Sequence, residues 1–318
     1  MLLEIGYVGT RATHLIRTRS INQAQLASPT NPIRGVTTNT LANIALRVPY
    51  QGFSSNGFQA VESAGSSNYN ALEATLSKRF SRGFQFIAAY TFSRLLDTDG
   101  GNATLTSGGN VVTLGNQNDE NSRYGPSDFN REQRLVVSYV YQIPNLLKTE
   151  RGLGILTSGW SVSGVTTVQS GQRLAISATN SNNAFGITSD HAQLAAGCTH
   201  SQLVTSGSTV SNLNNYFNRA CFTSFPIIEG TVTGFGNSGA GIVKGPGQKN
   251  FDISVGKRTS MGWLREGANL EFRAEFFNAF NTPQFANPDL NFSSATFGRI
   301  TNTSVSPRII QFALKLNF

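Results

Sequence analysis

Pro307-Arg308-Ile309-Ile310-Gln311-Phe312-Ala313-Leu314-Lys315-Leu316-Asn317-Phe318 is the stretch whose reading decides the fold class. Counted back in twos from Phe318, the positions are Leu316, Leu314, Phe312 and Ile310, all large and apolar. Between them stand Asn317, Lys315, Ala313, Gln311 and Ile309, mostly polar or small. A period of two is the period of a strand with one apolar and one wet face. About ten residues of tilted strand are enough to cross the hydrocarbon of a bilayer. A soluble sheet can show the same alternation, so the decision rests on the rest of the chain.

Working back, the pattern recurs. Leu270, Phe272, Ala274 and Phe276 alternate with Glu271, Arg273 and Glu275, and Phe251, Ile253 and Val255 with Asp252 and Ser254. Trp160, Val162, Gly164, Thr166 and Val168 form a weaker strand, because Val165 breaks the alternation. Leu135, Val137, Tyr139 and Tyr141 end before Pro144, which cannot donate to a ladder. Phe84, Phe86, Ala88, Tyr90 and Phe92 follow the turn Ser81-Arg82-Gly83, which is preceded by Leu72, Ala74 and Leu76. Leu3, Ile5 and Tyr7 begin the series.

Eight strands are therefore expected, joined by connections that alternate strictly between long and short. The long ones run from about Thr10 to Ser67, Asp97 to Arg131, Gly171 to Gln248 and Asn278 to Ser306. The short ones lie at Arg82, around Lys148, Glu150 and Arg151, and from Met261 to Gly267. A transmembrane barrel has this asymmetry, with short periplasmic turns and long extracellular loops. A soluble β-sandwich has connections of more even length. The expected fold is all-β, an antiparallel transmembrane barrel segment. Tyr69, Tyr141, Trp160, Phe251 and Phe276 near strand ends are expected to form the interfacial aromatic girdles. Glu73, Glu271, Arg273 and Glu275 are expected to line a polar lumen, since unpaired charge facing hydrocarbon costs about 2–4 kcal/mol.

Composition agrees. Of 318 residues only 13% are charged, and the 39% that are apolar never form a run long enough for a transmembrane helix. The net charge of +8 comes from Lys and Arg scattered singly, which argues against nucleic acid and for a rim facing anionic lipid. Met1-Leu2-Leu3-Glu4-Ile5-Gly6-Tyr7 has no basic segment, apolar run or cleavage site of an export signal. The expectation is the C-terminal part of a longer gene product, located in the bacterial outer membrane.

Enzyme-like signals are few. Gly234-Phe235-Gly236-Asn237-Ser238-Gly239 spells the dinucleotide fingerprint, but no helical pattern follows it, and a flexible loop is expected. Asp97 and Asp99 in Asp97-Thr98-Asp99-Gly100-Gly101-Asn102 form a weak calcium candidate without the closing Glu of a twelve-residue site. His14, His191 and His200 are far apart. No catalytic group, metal or cofactor is expected. Cys198 and Cys221 share the longest loop and are either a disulfide closing it or two separate thiols.

Several stretches resemble the C-terminal barrel region of TonB-dependent outer-membrane receptors, specifically the Oar-like group. They are Glu4-Ile5-Gly6-Tyr7-Val8-Gly9-Thr10-Arg11 with His14-Leu15, Asn68-Tyr69-Asn70-Ala71-Leu72 through Lys78-Arg79-Phe80, and Ala89-Tyr90-Thr91-Phe92-Ser93-Arg94. Phe235-Gly236-Asn237-Ser238-Gly239 with Gly245-Pro246 continues the match, although Ala240 stands where the family usually has Arg. The strongest is Arg273-Ala274-Glu275-Phe276-Phe277-Asn278-Ala279-Phe280-Asn281-Thr282-Pro283-Gln284-Phe285. The terminal register Phe312, Leu314, Leu316, Phe318 resembles the insertion signal that the barrel-assembly machinery reads. The resemblance covers nearly the whole chain. It implies ligand binding at the extracellular loops and uptake driven through TonB, which would contact an N-terminal region that has no counterpart here, nor does the plug. A complete barrel of this kind has about twenty-two strands around a plugged lumen. The ligand stays unnamed, and a structural or adhesive surface barrel is the alternative.

Overall fold

In a computed structural model the described residues are all except 56–57, 99–114, 120–122, 146–152, 180–183, 187–188, 226, 229–230 and 233. Eight long strands form one antiparallel sheet: β1 Leu2–Ser20, β2 Gln59–Ser81, β3 Phe84–Asp97, β4 Gln133–Gln142, β5 Trp160–Gln169, β6 Gln248–Ser260, β7 Asn269–Phe277 and β8 Ile309–Asn317. They pair in sequence order, with the two-residue strand Gly125–Pro126 added against the end of β3. The edge strands β1 and β8 do not pair with each other, so the sheet is open.

Register assigns the faces, because directly paired residues point the same way. Ile310, Phe312, Leu314 and Leu316 lie opposite Phe276, Ala274, Phe272 and Leu270. The same row continues through Ile253 and Val255, then Gly164 and Val162, then Tyr139 and Tyr141. It reaches Phe86 and Phe84, then Leu76 and Ala74, and ends on Leu3 and Ile5. One face of the whole sheet is thus apolar. The other carries Glu4, Glu73, Thr91, Arg134, Ser138, Ser163, Ser254, Glu271, Arg273 and Glu275 in matching register. Val165, which interrupts the alternation of β5, sits on this polar face opposite Asp252 and Ser138.

The short connections gather at one end. Arg82 and Gly83, both at positive φ (54° and 77°), make the two-residue turn that suits the twist of a hairpin. Beyond Pro144, a short helix Leu153–Thr157 leads into β5; Lys148, Glu150 and Arg151 fall outside the described residues. Lys257, on the apolar face, bends back to this end and donates to the carbonyls of Ile155, Leu156 and Ser158, its ammonium 4.9 Å from the Trp160 ring. The aliphatic stem stays on the apolar face while the charge reaches polar partners.

At the other end the first loop is shorter than its sequence suggests. β1 and β2 continue past Thr10 and Ser67 as a ladder that reaches Ser20 and Gln59, with a bulge between Ala12 and Leu15 where His14 has φ 59°. No apolar period marks this extension. Its ladder is reinforced by ion pairs instead: Arg17, 3% exposed, and Arg19 both bond the Glu62 carboxylate, at 2.7 and 3.0 Å.

The molecule's main hydrophobic core lies outside the long strands. Among the described residues of β1–β8, the buried apolar side chains are Ala71 and Ala274. Ile176, Leu203, Tyr216, Phe217, Phe222, Phe297 and Ile300, from the loops after β5 and β7, pack into one cluster. The Cys198–Cys221 disulfide, Cα–Cα 5.5 Å, clamps it, which resolves the choice between bonded and free thiols. The described residues of the long loops therefore form a packed cap over one end of the sheet.

Candidate functional site

The candidate site has two parts, the polar face of the sheet and the cap above it. On the polar face a recess of about 950 Å³ opens towards the turn end, lined by Ser161, Ser163, Ser254, Arg258, Glu271 and Arg273 among others. Arg258 stands 3.7 Å from Glu271 across the β6–β7 ladder, and Arg273 stands 3.4 Å from Glu275 along β7. These pairs are partly exposed, and each stabilises by no more than about 1 kcal/mol. Their arrangement therefore serves hydration and the local field more than stability. Glu271, Arg273 and Glu275 come together here, whereas Glu73 lies on the same face far away on β2.

The aromatic residues divide. Tyr141 and Trp160 lie on the apolar face at the turn end; Phe251 and Phe276 lie on it at the cap end. Tyr69 does not join them. Its register, opposite Thr10 and Leu95, puts it on the face of Ala71 and Glu73. The residue on the apolar face there is Tyr7, whose hydroxyl donates to Asn70 at 2.6 Å. Parity, not nearness to a strand end, decides which face a Tyr takes.

Described residues of all four long loops meet in the cap. Arg47 from the first loop is fully buried, with its guanidinium donating to Gln25 O, Asn39 Oδ1, Thr40 O and, in the third loop, Ala184 O. It also lies 5.8 Å from the Phe185 ring, and burial lowers its pKa to about 10. Gln23 binds the second loop, accepting from Gln117 N at 2.8 Å.

The Gly-rich run is neither a dinucleotide loop nor a free one. Phe235 packs tilted against Phe185 with ring centroids 4.1 Å apart, Ser238 N donates to Ala192 O, and Gly236 N donates to Asp190 Oδ2 at 3.1 Å. A Cβ at Gly236 would overlap the His191 carbonyl oxygen, so this seam closes only on glycine. Asp190 and His191 are buried beside it, 1% and 3% exposed. Burial pushes the Asp190 carboxyl up to about 6 and the His191 imidazole down to about 4.

Corner residues after β7 explain the strongest local motif. Asn278 and Asn281 both take φ 51°, which Asn tolerates better than most residues. The Asn278 side chain binds Thr282 N and O, while its backbone N–H donates to Asp252 Oδ1. Gln284 accepts from Lys249 N at 2.6 Å and donates back to Lys249 O, as a paired strand residue would. Asp97, the described half of the calcium candidate, ends β3 opposite Ser67 and Gly125; Asp99 lies outside the described residues. No group of three or more His, Cys, Asp or Glu able to hold a metal ion occurs among the described residues.

Compared with known proteins, residues 1–311 match the family described as the outer membrane beta barrel domain. No curated protein matches. No solved structure matches either.

Proposed function

The chain belongs to the outer membrane beta barrel family and lies in the bacterial outer membrane; from that premise we propose that it serves ligand capture and uptake of the TonB-dependent-receptor kind. The short turns of such barrels face the periplasm, which puts the cap outside the cell. The observation that carries the reading is the pairing of a continuous polar face with a packed cap to which described residues of all four long loops contribute. Glu271, Arg273, Glu275 and Arg258 gather in one recess of the polar face, where they would meet a ligand passing along it. In this reading, ligand meets the cap, the charged groups of the polar face line the path, and energy enters through TonB. The protein's role is non-covalent, with no catalytic residue.

A test is to compare the solutes depleted from the medium by cells producing the full protein, with and without TonB. The reading expects at least one solute whose depletion needs both. Depletion that is the same in all strains would contradict it. A second reading, adhesion by a surface barrel, is favoured by the large apolar side chains that the cap exposes, Phe53 at 61% and Val210 at 62%. Cell aggregation that depends on these two residues, without solute depletion, would replace uptake with that function.

A further inference from the structure

Where the sheet meets the cap, a recess of about 250 Å³ is lined by Arg131, Ser170, Gln172, Pro246, Gln248, Phe285, Ala286, Asn287 and Ser304. Most of its polar groups are committed to one another. Asn287 Nδ2 donates to Gln172 Oε1 at 2.6 Å, Gln248 Nε2 donates to Ser304 Oγ at 2.9 Å, and Ser170 Oγ accepts from Gln133 N at 3.1 Å. Among the described residues two donors are left: Arg131 Nη1 is buried with no hydrogen-bond partner, and the amide nitrogen of Gln172 has no hydrogen bond to another described residue. Leaving a buried donor unmet is unfavourable, more so when it is charged.

Among the described residues the surroundings do not supply the missing acceptor. Glu132, the next residue, is already held by Arg173 Nε at 2.7 Å and Lys244 Nζ at 2.5 Å. Asp128 is near enough to influence Arg131 but forms no ion pair with it, and its own Oδ1 is buried without a partner. Arg134 adds a further positive charge close by. Among the described residues, Arg131, Arg134, Arg173 and Lys244 thus outnumber Asp128 and Glu132 at this throat.

We infer that this recess is a subsite for an oxyanion, the carboxylate or phosphate group of a small ligand, with Arg131 and Gln172 as its donors. A planar guanidinium suits either group by paired hydrogen bonds. The inference rests on the capture reading and narrows it to ligands that carry such a group. The subsite lies between cap and polar face, where ligand leaving the loops would enter the barrel.

The test is equilibrium binding of inorganic phosphate, and separately of succinate, to the protein extracted from outer membranes in detergent. At least one of the two binds, Arg131→Gln weakens it tenfold or more, and Gln172→Ala weakens it severalfold. Asp128→Asn, which removes the nearest internal competitor, tightens it. Arg131→Lys keeps the charge but loses the paired geometry, and falls between native protein and Arg131→Gln. Absence of binding by both probes overturns the subsite, as does binding that Arg131→Gln leaves unchanged. The heat-dependent gel mobility of a folded barrel, recorded on each variant, separates loss of the subsite from loss of the fold. A protein that keeps this signature and still depletes a solute with TonB, yet binds neither probe, refutes the subsite and leaves the uptake reading standing.

Discussion

The sheet and the cap are built with opposite insides. On β8, Phe312 and Leu314 are 67% and 68% exposed, while in the cap Ile176, Phe185 and Leu203 are fully buried. One sequence therefore addresses two solvents. In the sheet, apolar side chains point away from the polar face because lipid is the medium there. In the cap they turn inward because water is, and burial of apolar area there contributes roughly 25 cal/mol per Å². The sheet is held by backbone ladders closed strand to strand; the cap is held by packing, one disulfide and buried polar anchors such as Arg47.

The comparison can be broken in order of expected effect. Phe217→Ala in the cap core removes a ring packed against Tyr216 and Phe297, at a cost of about 3–5 kcal/mol. Near-ultraviolet circular dichroism of the cap should collapse while the heat-dependent mobility of the barrel remains. Reduction, or Cys198→Ser with Cys221→Ser, opens a loop with a sequence separation of 23 and should cost the cap about 3 kcal/mol, read as a lower midpoint in denaturant. Leu314→Arg places a charge on the lipid side and should cost about 2 kcal/mol of barrel stability, whereas Gln311→Arg, on the polar face opposite Glu275, should cost far less. Equal costs at the two positions would erase the distinction between the faces.

The smallest effect is in pH, because two buried neighbours oppose each other. Asp190 titrates higher in the fold than its ordinary 3.8, so its stability contribution is complete below about pH 4 and is lost as pH rises through about 6. His191 titrates lower than its ordinary 6.5, so its contribution is present above that value and is lost as pH falls through about 4. Between pH 4 and 6 the slopes nearly cancel in the native cap. Asp190→Asn should leave a cap that weakens on acidification over this window, and His191→Gln one that strengthens, both read from thermal melts at each pH.

What the sequence revealed follows the same divide. The eight strands, their alternating connections and the two faces are legible because a bilayer imposes a strict period of two. Charged residues such as Glu271 and Arg273 mark the polar face by interrupting the apolar row. The cap core was not legible. Ile176, Leu203, Phe217, Phe222 and Phe297 come from segments with no shared period, and their meeting is a matter of tertiary packing. The extension of β1 and β2 was hidden for a related reason: beyond the bilayer no apolar row is needed, and Arg17, Arg19 and Glu62 hold the ladder instead. Arg131 and Gln172 of the throat recess carry no motif at all; Arg131 is singled out by a buried guanidinium nitrogen without a partner.

The most direct test of the two-solvent account is a cysteine scan of β7, Asn269–Phe277, in outer membranes, labelled with a charged, membrane-impermeant thiol reagent. The native cysteines are bonded to each other and give no background. The account predicts strict alternation, with cysteines at Glu271, Arg273 and Glu275 labelled and those at Leu270, Phe272, Ala274 and Phe276 protected. Uniform labelling along the strand, or the opposite parity, would contradict it.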